Sequence, residues 1–390
     1  MYRSLIVLTL AQAFAQSATP IVVLLGGIIG ATMAPSVEFA TLPIALMIVG
    51  TATTSIPAAV LMSRVGRKAG FLFGCAYASL AGLIAVYAIV NQVFILFCLA
   101  TFIVGSHNAF IQQYRFAAVE TVPPDKVATT LSILMLAGVV AAFTGPEIAI
   151  YTRYASELGE FVGSFFAITG MMVCAFLILC FYPNSKLELI TSTEEQRPLP
   201  TILKQPRLIL AVAAGAVGYG VMSFVMTATP VSMHTVDHHS FEDTAWVIQS
   251  HIMAMYLPSL FSGILIARFG SIKIIFVGLV LMLVCLAIAN ADRQLMHYWW
   301  ALIFLGVGWN FLFLGGTTLL TENYRPSERY KVQALNDFLI FTLQAMAALG
   351  SGVILANYGW NWVLAVSLPW LVLLLPILWM GSRAKNTSHP

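Results

Sequence analysis

Leu61-Met62-Ser63-Arg64-Val65-Gly66-Arg67-Lys68 lies between two long apolar stretches, and a similar stretch returns about 200 residues later as Leu265-Ile266-Ala267-Arg268-Phe269-Gly270-Ser271-Ile272-Lys273, again between apolar stretches. In each copy a basic residue stands two positions before a glycine, more positive charge follows, and a further glycine, Gly74 or Gly278, lies eight positions on. Glycine gives the backbone the freedom for a tight reversal. Arg and Lys hold such a loop on the cytoplasmic side of a membrane. The chain reads as two related halves, each with a basic turn between membrane helices.

Composition agrees with that class. The 390 residues are 59% hydrophobic and 9% charged, with a mean hydropathy of +0.89, too apolar for an ordinary soluble surface. The net charge of +3 is small for this length and speaks against nucleic acid as a partner. Cys75, Cys98, Cys174, Cys180 and Cys285 fall in apolar stretches without C-x-x-C spacing and read as small core residues. Arg3 followed by Leu5 to Leu10 imitates a secretory signal, but the apolar run continues through Ile21 to Ile29, a full span.

Stretches of roughly 20 apolar residues predict helices near 4–31, 39–62, 69–90, 93–119, 127–150 and 161–182, then near 207–231, 243–267, 271–290, 297–321, 329–356 and 361–381. The domain plan is six helices (1–182), a cytoplasmic linker (183–206) and six helices (207–390). The linker is proline-rich with mixed charge, a flexible tether, with Ser192 or Thr193 as an alternative regulatory phosphosite. With both ends cytoplasmic, the basic residues of the turns, linker and tails, Lys186 and Lys385 among them, lie inside, and only Arg153 and Arg293 lie outside. The positive-inside rule selects that orientation.

The duplication extends further: Asn108, Glu120 and Pro124 match Asn310, Glu322 and Pro326 at one spacing. The basic turn resembles the loop between helices 2 and 3 of the major facilitator superfamily, written G-x-L-a-D-R-x-G-R-K. Arg64, Gly66, Arg67 and Lys68 fit it, with Ser63 in the acidic slot and Ala59 in the opening glycine slot; in the second copy Gly263, Leu265, Arg268 and Gly270 fit, with Ala267 for the acid. The resemblance covers nearly the whole chain. It implies an all-α, twelve-helix fold of two pseudo-symmetric bundles, with alternating access to a midplane site lined mainly by helices 1, 2, 4, 5, 7, 8, 10 and 11. Arg64, Gly66, Arg67, Lys68, Arg268, Gly270, Glu120 and Glu322 then belong to the conformational gate.

Polar groups inside such helices are expensive in hydrocarbon and mark function. Helix 4 carries His107, Asn108, Gln112, Gln113 and Arg115. Arg115 keeps its charge, so it anchors an anionic substrate or pairs with Glu120 or another acid as a brace. On helix 11, Gln333, Asp337 and Gln344 share one face, and Asp337 lies about 15 Å along the helix by its rise. Asp337 is either a proton-coupling carboxylate or an ion-pair partner of Arg64 or Arg67. Helix 5 carries Gly145-Pro146 and then Glu147 near the outer end, either a solvated or gate residue or a second proton-coupling candidate. Gly-Pro resembles the core of the superfamily's antiporter motif, but Ala141, Ala149 and Ile150 fill its other glycine slots.

His234, Asp237, His238, His239, Glu242 and Asp243 make the loop before helix 8 either a metal or pH-sensing site or a solvated loop. Inside helix 8, Gln249 and His251 lie beyond that loop; His251 is protonated, ligand-binding or satisfied by a neighbour. With Trp309 and Asn310 on helix 10, Gln16, Thr53, Tyr219 and Tyr256, they describe a cavity of aromatic and amide groups. Helix 11 adds Gln344. No phosphate-binding loop, G-x-S-x-G turn or H-E-x-x-H pair is present. The expected function is proton-coupled transport of a small amphipathic or anionic organic solute, by uptake through symport, in a monomer of the bacterial inner membrane that needs no cofactor. A drug/proton antiporter is the alternative within the class; a membrane sensor or metalloenzyme is the alternative outside it.

Overall fold

The computed structural model describes residues 2–35, 39, 42–120, 122–183 and 197–384. Lys186, Ser192, Thr193 and Lys385 lie outside the described residues. The described residues are helical, with no strand. The first half runs α1 (Tyr2–Gln16), α2 (Ala18–Met33), α3 (Leu42–Val65), α4 (Arg67–Val90), α5 (Phe94–Gln112), α6 (Tyr114–Val119), α7 (Val127–Tyr151) and α8 (Val162–Cys180). After the short α9 (Leu199–Leu203), the second runs α10 (Pro206–Val231), α11 (Phe241–Tyr256), α12 (Ser259–Phe269), α13 (Ser271–Ala291), α14 (Leu295–Thr321), α15 (Arg329–Tyr358) and α16 (Trp360–Arg383). Among the described residues twelve spans, some joining two of these helices, are long and apolar enough to cross a membrane.

Three predicted helices are broken, and two of the breaks are proline's doing. Proline lacks an N–H and its ring collides with the carbonyl four residues back. Pro20 interrupts the expected helix 4–31 at Ser17, whose hydroxyl bonds the Ala13 carbonyl at 2.7 Å. Pro258 interrupts 243–267, and α12 starts behind it. The third break, at Gln113 in 93–119, has no proline; the Gln113 amide is engaged by other helices, as described below. At both basic turns the glycine does what the sequence requires: Gly66 has φ 88° and Gly270 φ 87°, conformations that L side chains resist.

Two compact units emerge. One holds Met1–Val122, Leu134–Thr193 and Gln333–Phe338; the other holds Pro123–Ile133, Glu194–Val332 and Leu339–Pro390. They differ from halves cut at the linker in two places. The polar face of Gln333–Phe338 bonds to side chains of α4 and the α5–α6 junction. The opening of α7 packs closely on α12, where a Cβ on Gly263 would meet the Ala128 carbonyl at 2.7 Å.

Lipid offers helices no hydrophobic drive to associate, so close backbone approach carries the packing. In the first unit α3 crosses α5 at Gly105, where a Cβ would fall on the Met47 carbonyl, and α4 packs on α5 and α8. In the second, α14 is central, packed by α10, α11 and α13, and almost wholly buried from Leu305 onward. The outer surfaces carry large apolar side chains such as Ile95, Ile264 and Leu373. Cys174 and Cys180 face outward there, unlike the buried Cys75, Cys98 and Cys285, so the expectation of five core cysteines holds for three. An outward thiol is tolerated because the solvent on that face is hydrocarbon.

Candidate functional site

The first unit contains a largely buried charge network with Glu120 at its exposed edge. Arg67, at the start of α4, donates to Gln113 at 2.8 Å, to Glu120 at 2.6 Å and to Gln333 at 2.8 Å. Gln113 in turn donates to Asp337 at 2.9 Å. Asp337, 1% exposed, also accepts from Asn336 at 3.0 Å and is ion-paired with Arg115. Two guanidiniums and two carboxylates thus share a set of amides, and their charges cancel. Losing one partner would strand the other's charge, and here each guanidinium has an acid of its own. The acid that answers Arg67 is Glu120, and the acid that answers Arg115 is Asp337, so neither Arg64 nor Arg67 is the partner of Asp337. Arg64 is exposed at the end of α3. Gln113, Gln333 and Asn336 connect the network, and their mid-helix amide character was the signal for them.

Elsewhere in that unit, Lys68 donates to the Cys180 carbonyl at 2.6 Å. Asn108 accepts from Thr19 at 3.2 Å, Gln16 accepts from Gln12 at 2.9 Å, and Gln112 is half-buried. His107 is buried beside the Gly74 backbone, and neither ring nitrogen has a well-formed hydrogen bond. Thr53 is exposed and bonded to its own helix. Glu147 is exposed on α7, one residue past Pro146; a Cβ on neighbouring Gly145 would meet Pro20 at 2.8 Å.

The second unit carries an aromatic wall in place of charges. Trp309 and Phe313 of α14 lie nearly parallel, 5.2 Å apart at an interplanar angle of 13°. Tyr219 of α10 stands edge-on to both, and to Phe341 of α15. Tyr256 of α11 meets Trp309 edge-to-face at 5.7 Å. Phe313 and Phe341 were not among the expected site residues; Phe313, one helical turn from Trp309, was readable as its same-face neighbour. Asn310 has little left to offer a solute: it donates to the Met255 carbonyl and to Ser259, both at 2.8 Å, and accepts from Ser262 at 2.7 Å. His251 is fully buried with Nδ1 2.8 Å from the Leu302 carbonyl and Nε2 unpartnered. Gln249 is exposed and Gln344 half-buried. Thus Tyr219, Tyr256 and Trp309 come together, and Gln249 stands apart.

The residues expected at the gate in this unit are more loosely held. Arg268 is exposed over the Phe269 ring, and Glu322 accepts from Ser271 only at 3.5 Å. A stronger pair was missed: Arg197 grips Glu328, which is fully buried, through two bonds of 2.7 and 2.6 Å. At the other end of α10, a π-helical turn, Ser232–Val236, leads into Asp237, which accepts from Tyr298 at 2.6 Å and lies 3.6 Å from Arg293. His239 is bonded to the Arg293 carbonyl at 2.9 Å, and His238 is exposed. Among the described residues no three His, Cys, Asp or Glu side chains come together as a metal-binding group.

A family model described as Major Facilitator Superfamily matches residues 5–289 and 223–390. The chain is 39% identical over 389 residues to the riboflavin transporter RfnT of Brucella anthropi, covering 99% of this chain and 97% of that protein. It is 29% identical over 414 residues to the MFS-type transporter YddS of Bacillus subtilis, covering 99% and 92%. Among solved structures, a bacterial homologue of the iron transporter ferroportin in an outward-facing state aligns with a TM-score of 0.76 at 13% identity, over 98% of this chain and 100% of that one. The E. coli fucose:proton symporter FucP aligns with a TM-score of 0.74 at 15% identity, over 98% of each. These structural likenesses carry the fold alone.

Proposed function

The chain belongs to the major facilitator superfamily, an integral membrane transporter and not an enzyme, and from that premise we propose that it takes up riboflavin by proton-coupled alternating access. The observation that carries the reading is the end-to-end similarity to a riboflavin transporter, 39% identical over 99% of this chain. The aromatic wall of the second unit supports it, since stacked and edge-on rings suit a planar heteroaromatic solute. Riboflavin is amphipathic and uncharged at neutral pH. It therefore needs no anion anchor, in keeping with the engagement of Arg115 by Asp337.

We assign Asp337 to proton coupling, as a buried carboxylate whose charge is balanced by a single adjoining guanidinium, with Glu147 as the second candidate. The protein acts as a monomer in the bacterial inner membrane with both termini cytoplasmic.

The test is growth and uptake. A bacterium unable to make or import riboflavin, expressing this chain, is expected to grow on low riboflavin and to accumulate labelled riboflavin until a protonophore is added. Absence of both rescue and uptake by a correctly inserted protein overturns the reading. The Gly145-Pro146 pair inside α7 keeps drug/proton antiport as the second reading. In that case drug addition to energised vesicles releases protons from the lumen, and riboflavin does nothing.

A further inference from the structure

We propose that the aromatic wall of the second unit is the ring slot for the flavin, and that Tyr219 fills that slot when no solute is bound. The inference rests on the riboflavin reading above and adds to it the residues that recognise the ring.

Trp309 and Phe313 form a nearly parallel pair on one face of α14. The Tyr219 ring stands edge-on to this pair, at 82° to Trp309 with centroids 5.0 Å apart and at 83° to Phe313 with centroids 5.1 Å apart. It is also edge-on to Phe341, at 72° and 5.5 Å. One phenol is thus surrounded by three aromatic partners on two other helices. Tyr219 stands between Gly218 and Gly220 on α10. Those glycines bring α10 against Leu312 and Leu343, where a Cβ would meet their side chains at 3.1 and 3.0 Å. A tricyclic ring entering from the Tyr219 side replaces an edge-on contact with a stacked one, the other favoured aromatic geometry.

Two buried polar atoms point independently to a ligand. The indole Nε1 of Trp309, a residue 1% exposed, has no hydrogen-bond partner, and neither has Nε2 of the fully buried His251. Buried polar groups are ordinarily satisfied, and each exception calls for an explanation. In the neutral imidazole, Nδ1 carries the proton because it faces the Leu302 carbonyl at 2.8 Å, which leaves Nε2 as an acceptor. The wall itself therefore offers one donor, on Trp309, while His251 offers one acceptor beside Leu302, farther along α14. Leu302 and Trp309 are about 10 Å apart along α14 by helical rise. A flavin is long enough and suitably polar to meet both: a ring carbonyl accepts from Trp309, and a ribityl hydroxyl donates to His251.

The test uses the purified full-length protein in detergent and riboflavin itself, whose fluorescence falls when its ring stacks on indole. Wild type is expected to quench riboflavin, with lumichrome, the ring without the sugar chain, competing and ribitol not. Trp309→Leu is expected to weaken binding by about tenfold, the scale of one lost stacking contact, and to remove the quench, whereas Trp309→Phe keeps affinity within a few fold. Tyr219→Ala, which empties the slot, is expected to bind more tightly than wild type. Thermal melts of the unliganded variants verify folding, and the wild-type competition by lumichrome stands even if a variant misfolds. If wild type binds riboflavin but Trp309→Leu binds and quenches equally well, or ribitol competes and lumichrome does not, the slot is wrong and the transport reading stands. If wild type binds no riboflavin, both fall together.

Discussion

Arg115 and Asp337 show how much a residue's meaning depends on its neighbour. Each alone is an intramembrane charge and a functional suspect; together, with side chains 6% and 1% exposed, they are a neutral unit. Removing one partner strands the other in a low-dielectric site, typically at a cost of about 3–5 kcal/mol. Arg115→Gln is therefore expected to lower the unfolding midpoint sharply, and the double variant Arg115→Gln/Asp337→Asn to recover most of the loss. Equal losses in single and double variants would deny the pairing. Folded Asp337→Asn protein in vesicles is expected to exchange riboflavin but not to accumulate it under a pH gradient; retained accumulation moves the coupling to Glu147. The sequence made both charges visible as interruptions in apolar helices. It could not pair them, because they are 222 residues apart and their meeting depends on how two helices are rotated. Gln113 was visible as a mid-helix amide, but its partners, Arg67 and Asp337, were hidden for the same reason.

At the level of the element, the twelve spans and both basic turns were legible because hydropathy and charge act locally along the chain. The breaks at Ser17 and after Tyr256 were less so, although Pro20 and Pro258 mark them, since a proline within an apolar run kinks a helix or ends it according to what packs there. Helix crossings were silent in the sequence: glycine is common in membrane helices, and nothing local says which one touches a backbone. Two glycines separate the cases. At Gly105 an added Cβ would coincide with the Met47 carbonyl, while at Gly170 on α8 it would meet nothing within 4 Å. Gly105→Ala is expected to force α3 and α5 apart and to leave little monodisperse protein after detergent extraction. Gly170→Ala is expected to raise thermal stability slightly, by about 0.5–1 kcal/mol, because alanine narrows the unfolded ensemble at no steric cost. A stable, active Gly105→Ala protein would refute the tight crossing.

Across the whole molecule, duplication supplied the scaffold and divergence divided the work. Asn108 and Asn310, Glu120 and Glu322, and Pro124 and Pro326 are each 202 positions apart. At that same offset Gln113 and Arg115 face Gly315 and Thr317, whereas His107 and Ile111 face Trp309 and Phe313. The first half thus carries Arg115, which pairs with Asp337 of the second, and the second carries the rings proposed for the flavin. Orientation decides which compartment that charge network serves. In the proposed orientation the twelve spans found among the described residues put both ends on one side, with the basic turns at Arg64, Arg67, Lys68, Arg268 and Lys273. Arg153 and Arg293, opposite them, are each close to an acid, with Arg153 Nε 2.6 Å from Glu160 and Arg293 3.6 Å from Asp237. Because short loops rich in Lys and Arg stay in the cytoplasm, a fluorescent protein fused after Arg383 is expected to fluoresce, and alkaline phosphatase inserted after Ser156 to be active. The reverse pattern would place Arg67, Glu120 and Asp337 toward the external face. The direction of coupled flux would not change, because the proton gradient sets it for either insertion; the proposed cytoplasmic placement of that network and of both termini would fall.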